Sequence, residues 1–166
     1  MRSDFECIYS WISENSEQFP QLELISSTLK DKTNILQPNS TSRMYDVSAE
    51  EYQDGRIKTT FKPVNPYYID IDIICYRAVY EDDESRNLKQ LTKVQEVCDW
   101  FIEQQNNGIC PALDRSNCYQ IECLTPQPFI RNVYESDGDT SKTIVDYAVT
   151  VRFYIKNPAK AFCRII

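Results

Sequence analysis

From Thr143 to Lys156 the apolar residues fall on every second position. Val145, Tyr147, Val149, Val151, Phe153 and Ile155 share one face, and Asp146, Ala148, Thr150, Arg152 and Tyr154 share the other. A helix, repeating about every 3.6 residues, would scatter such a set around its circumference, whereas a strand gathers it on one side. Tyr67 to Tyr80 follows the same rule, with Tyr67, Ile69, Ile71, Ile73 and Cys75 pointing one way and Tyr68, Asp70, Asp72, Ile74 and Tyr76 the other. Two long strands of this kind require a sheet with one core face, and the polar positions predict that the other face is partly wet. Tyr119 to Leu124 and Phe129 to Tyr134 add shorter strands. Asp137-Gly138-Asp139 supplies hairpin-turn chemistry ahead of Thr143, so the segments on either side are expected to be antiparallel neighbours.

Helical periodicity occurs twice. Phe5, Ile8, Tyr9 and Ile12 form a stripe preceded by Ser3 and Glu6 in capping-box spacing, which predicts a short helix from about Ser3 to Ser16, ending ahead of Pro20. Leu88, Leu91, Val94, Cys98, Phe101 and Ile102 form the second stripe. The acidic run Glu81-Asp82-Asp83-Glu84 precedes it, where negative charge suits the helix dipole, and Asn106-Asn107-Gly108 with Pro111 closes it. Between Gln21 and Pro66, short apolar runs (Leu22 to Ile25, Ile35-Leu36, Ile57 to Phe61) alternate with turn-rich stretches such as Pro38 to Ser42 and Asp54-Gly55. Short strands and a long surface loop are expected there. This order predicts one α+β domain over residues 1–166, with helices packed on one face of a mainly antiparallel sheet and a tail at 157–166.

Composition narrows the function. A chain of 166 residues, 42% hydrophobic, can bury an ordinary single-domain core. No run approaches the roughly 20 apolar residues of a membrane span, and no signal-peptide core follows Met1, so synthesis in the cytoplasm is expected. The seven cysteines, Cys7, Cys75, Cys98, Cys110, Cys118, Cys123 and Cys163, read mostly as small buried apolar residues rather than disulfides. A net charge of −7 disfavours sequence-reading DNA binding, because phosphate contacts need Lys and Arg. The same acidity suits a surface that DNA must pass without sticking, and serves solubility equally well.

Chemistry is hard to write on this chain. Histidine is absent, which removes the commonest general base, the standard hydrolase triad and most zinc sites. Gly55, Gly108 and Gly138 are the only glycines and each marks a turn, so neither a P-loop nor a dinucleotide fingerprint fits. No Cys-x-x-Cys pair exists, Cys118 and Cys123 are expected on opposite faces of a strand, and a cysteine metal cage would need distant segments. Asp70 and Asp72 share a strand face on which a divalent cation or an acid–base pair is conceivable; the preferred reading is a solvated or subunit-facing surface. Asp137 and Asp139 resemble a fragment of a calcium loop that lacks its closing glutamate, and read as a hairpin tip. Glu81 to Glu84 reads as a helix-entry loop in water. No catalytic residue, metal or cofactor is expected, and the alternative is a small metal-dependent or cysteine-based cytosolic enzyme using Asp70, Asp72 or one exposed cysteine.

The chain also carries surplus apolar surface: two strands with aromatic residues on both faces, and the ending Ala161-Phe162-Cys163-Arg164-Ile165-Ile166. Such a tail either docks on a neighbouring subunit or folds back on its own core. The strand Tyr67 to Ile73, the helix Leu91 to Gln105 with its run Cys98-Asp99-Trp100-Phe101-Ile102-Glu103-Gln104-Gln105, the exit Gly108-Ile109-Cys110-Pro111 and the strand Asp146 to Val151 resemble the tail-terminator and minor capsid (tail-completion) proteins of tailed bacteriophages. The likeness covers roughly residues 67–156 and extends loosely to the N-terminal helix, Cys7 to Trp11. It implies a structural virion protein: a six-membered ring that caps the tail tube, stops its growth and joins the tail to the head connector. The implied partners are other copies of the chain, the tail tube protein, head-tail connector and neck proteins, and a sheath where the tail is contractile. DNA would pass without specific binding, with no membrane involved, and the protein would reside in the tail-neck region of the virion. Contacts to neighbours and tube would fall on the strand Tyr67 to Tyr80 and the loop around Gln37 to Gly55, with Tyr68, Asp70, Asp72, Tyr76, Arg152, Tyr154, Ile165 and Ile166 as the expected interface residues. The cysteine and tyrosine counts and the longer region between Gln21 and Pro66 depart from that family.

Overall fold

The computed structural model describes residues 1–15, 22–24, 34–39, 43–44, 50–53, 56–59, 66–135 and 143–156. In chain order these form α1 (Asp4–Asn15), β1 (Leu22–Leu24), β2 (Asn34–Pro38), β3 (Arg43–Met44), β4 (Glu50–Gln53), β5 (Arg56–Thr59), β6 (Pro66–Val79), α2 (Glu84–Asn106), β7 (Asn117–Cys123), β8 (Phe129–Glu135) and β9 (Thr143–Lys156).

The two strands with the strongest alternation are the centre of the fold. β6 and β9 pair antiparallel over their full length, from Pro66 opposite Lys156 to Val79 opposite Thr143. β2 and β3 lie along the outer side of β6, and β7 and β8 lie end to end along the outer side of β9, all antiparallel; β1 joins β2 in parallel. The gap between β7 and β8 contains Pro126 and Pro128, which have no N–H to give to a ladder. Pairing is kept on either side of them by Leu124 N donating to Thr150 O (2.9 Å) and Thr150 N donating to the Thr125 hydroxyl (3.2 Å). β4 and β5 form a separate antiparallel pair in which Gln53 faces Arg56; the turn expected at Asp54-Gly55 lies outside the described residues, as does that at residues 137–139. The neighbour relation inferred from the second turn holds, since β8 and β9 are antiparallel partners.

Both helices pack on the odd-numbered face of β6 and β9. Ile8 and Ile12 of α1 and Val94, Val97, Cys98 and Phe101 of α2 share one core with Ile71, Ile73, Cys75, Val145, Val149, Val151, Phe153 and Ile155. The fold is therefore α+β with helices on one face of a mainly antiparallel sheet. The capping box forms as written: Ser3 N donates to the Glu6 carboxylate (2.9 Å) and Glu6 N donates to the Ser3 hydroxyl (3.2 Å). Asp4 then accepts from the Tyr67 hydroxyl (2.6 Å) and the Ser116 hydroxyl (2.9 Å), tying α1 to the sheet. Trp11 stacks at 5.1 Å from Trp100 and at 6.2 Å from Phe153, which closes the seam between the helices.

α2 departs from its expected orientation. Val97 replaces Leu88 and Leu91 in the buried stripe; Leu88 is 64% exposed and Leu91 is also exposed. The cause is polar. The Asn87 side chain both accepts from Tyr80 N and donates to Tyr80 O (2.9 Å each), and Gln90 donates to Ala78 O (2.8 Å). These bonds to the end of β6 turn the Asn87, Gln90, Val94, Val97 and Phe101 side inward, at helical spacing. Asp83 caps the start by accepting from Arg86 N (3.1 Å), and Glu81 to Glu84 are exposed. At the far end Gly108 adopts φ +68°, with Gly108 N donating to Gln105 O (3.2 Å) and Ile109 N to Gln104 O (3.0 Å), a Schellman closure.

Candidate assembly surface

The even-numbered sheet face, expected to be partly wet, is mostly closed. Ile35, Ile74, Tyr76 and Ala148 make a second apolar cluster there, flanked by Tyr134 and Ile144. Beside it Asp70, 1% exposed, sits opposite Arg152 in register and accepts from Arg152 Nε (2.8 Å) and Nη2 (3.0 Å). That pairing raises the Arg152 pKa, the hydrogen bond to Asp70 being the largest cause. The guanidinium also lies over the Tyr68 ring, 3.9 Å from its centre. Asp72 accepts from the Thr150 hydroxyl (2.7 Å) and from Asn39 Nδ2 (2.8 Å). Tyr154 donates to Glu122 (2.7 Å) and stands 6.3 Å from Tyr68 and 6.1 Å from Tyr119. Among the described residues no buried side-chain polar atom lacks a partner. A strand face carrying alternate aspartates can therefore be buried, because each charge is met by the cross-strand neighbour instead of by water.

Of the residues expected at an interface, the structure brings Tyr68, Asp70, Asp72, Tyr76, Arg152 and Tyr154 onto this one face. Tyr68, Asp70 and Tyr76 are buried within the single chain, whereas Asp72, Arg152 and Tyr154 are half-buried. Ile165 and Ile166, and Cys163, lie outside the described residues.

Cys7, Cys75 and Cys98 are buried, and Cys110, Cys118 and Cys123 half-buried, all as free thiols. Cys118 and Cys123 do not occupy opposite faces. A bulge between Cys118 and Gln120 inserts Tyr119 and shifts the alternation by one, so Cys118 faces Ile155, Ile121 faces Phe153, and both cysteines pack against the helix-side core. Burial pushes the Cys75 thiol up to about 11 and the Cys98 thiol up to about 12, and it raises Cys110, Cys118 and Cys123 as well, which suppresses the nucleophilic thiolate at neutral pH. Among the described residues no group of three or more Cys, Asp or Glu is arranged to hold a metal ion, and no helix is long and apolar enough to cross a membrane.

Sequence reasoning passed over the outer edge of the sheet. β8 pairs with β9 on one side, and among the described residues no strand pairs on its other side. Phe129, Ile130 and Val133 are 54%, 52% and 59% exposed. The strand is held by Asp146, which is 0% exposed and accepts from Asn132 N (2.9 Å), the Tyr134 hydroxyl (2.9 Å) and Arg131 Nη2 (3.2 Å). A register shift between Ile130 and Asn132 lets Arg131 and Asn132 both reach that carboxylate. The signal was present in Phe129-Ile130-Arg131-Asn132-Val133, which is apolar at both even and odd positions, but nothing in it says that the strand ends a sheet. No family model matches the chain, and no curated protein shows significant similarity to it.

Proposed function

We propose that the chain is a structural virion assembly protein, a tail terminator that closes into a ring on the tail tube and joins the tail to the head connector. The observation that carries this reading is the β8 edge, a rigidly anchored strand presenting Phe129, Ile130 and Val133 to solvent. Apolar side chains beside an unshared backbone edge are what a subunit uses to add itself to another chain. The architecture, helices on one face of an antiparallel sheet, is also the one the resemblance to tail terminators implies. Asp70, Asp72 and the described cysteines, on which a small enzyme would depend, stand in hydrogen-bonded or buried positions.

Electron microscopy of particles assembled in the source host after deletion of the gene tests the proposal. Tails of uncontrolled length beside unattached, DNA-filled heads are expected. Normal virions would exclude it.

A further inference from the structure

The apolar β8 edge and the apolar segment 161–166 are complementary in kind, and chain geometry decides whether they meet within one subunit. Phe129 lies opposite Ala148, so eight residue steps of β9 separate its level from Lys156, where β9 ends. At about 3.3 Å per residue that is roughly 26 Å. The six residues from Asn157 to Phe162 span at most about 22 Å even when fully extended. Within its own subunit Phe162 therefore falls short of the near end of β8, and the rest of β8 runs further away, toward Thr143. The segment 161–166 is unable to lie along the β8 strand of the chain that carries it.

We infer that the β8 edge is the docking site for residues 161–166 of a second copy of this chain, which add a strand beside Phe129–Glu135. This rests on the assembly reading and specifies its contact. Strand addition gives the unshared main-chain groups of β8 their partners, and Phe162, Ile165 and Ile166 cover Phe129, Ile130 and Val133. Because the donor tail and the acceptor edge are different surfaces, the contact is head-to-tail and each subunit both gives and receives. Rings and open filaments are the assemblies such a contact builds.

The test uses the full chain with Val133→p-benzoylphenylalanine, prepared as an equal mixture of natural-abundance and 15N-labelled protein. The mixture is irradiated, digested and examined by mass spectrometry. Mixed-isotope cross-links joining residue 133 to a peptide from residues 157–166 are expected, with at least a tenfold loss in the Ile165→Asp, Ile166→Asp double variant. Leu88→p-benzoylphenylalanine, exposed on α2, should give no such product. Oligomers whose residue 133 joins only another segment, or none, overturn the tail contact and leave assembly standing. Same-isotope products alone, or a monomer without cross-links, also overturn it, and the deletion experiment then decides the assembly reading separately.

Discussion

Asp70 and Arg152 form a charge pair on a face that no helix covers, with the carboxylate buried and the guanidinium clamped between it and the Tyr68 ring. Removing one partner strands the other, so Asp70→Ala should lower stability by about 3 kcal/mol in urea unfolding. The double variant Asp70→Leu, Arg152→Met should recover most of that loss, since it removes both charges and keeps the volume. A double variant no more stable than Asp70→Ala would mean the pair is not the source of the cost. The thiols make a second prediction at this scale. Burial raises Cys75 to about 11 and Cys98 to about 12 from an unperturbed value of 9.0. Below pH 9 both folded and unfolded chains keep these protons; above it the unfolded chain releases protons that the folded chain retains, so stability must fall as pH rises. The urea midpoint should decline from about pH 9 to about 11, with thiolate absorbance appearing together with unfolding rather than before it.

Among the elements, α2 shows how hydrogen bonds outrank apolar spacing at a helix end. Leu88 lies on the predicted stripe yet faces solvent, so Leu88→Gln should change stability by less than about 0.5 kcal/mol, whereas Phe101→Ala should cost about 3–5 kcal/mol. Comparable losses for the two in thermal unfolding would contradict the observed rotation of the helix. Gly108, at φ +68° with open space around the position a Cβ would take, is limited by backbone conformation alone. Replacement by Ala should therefore cost about 1 kcal/mol, and replacement by Asn less. β8 depends on Asp146 for three of its hydrogen bonds. Asp146→Ala should release amide protection at residues 129–134 in hydrogen exchange while leaving the C-terminal half of α2 protected.

For the whole molecule, the placement of β6 and β9 at the centre leaves two outer lines of strands, each broken into short pieces. Short interrupted edges resist uncontrolled pairing, and the bulges in β7 and β8 serve the same end. β8 retains apolar exposure in spite of this, which is why the assembly reading rests there instead of on the tyrosine and aspartate face. If that reading holds, Val133→Lys should leave urea stability within about 0.5 kcal/mol while abolishing head attachment in particles. Normal particles bearing this variant would remove β8 from the contact.

Local pattern by itself determined the two long strands, the core face of each, both helices, the capping box, the Schellman closure and the α+β class, because periodicity and cap chemistry act within a few residues. Only the tertiary structure decided the rotation of α2, the common face of Cys118 and Cys123, the burial of Asp70 and the exposure of β8. Each of these depends on a partner distant in sequence: Tyr80 and Ala78 for the helix, a bulge against β9 for the cysteines, Arg152 for the aspartate, and for β8 the position of the strand at the end of the sheet order. Alternation says which way a side chain points, and pairing says what it meets there.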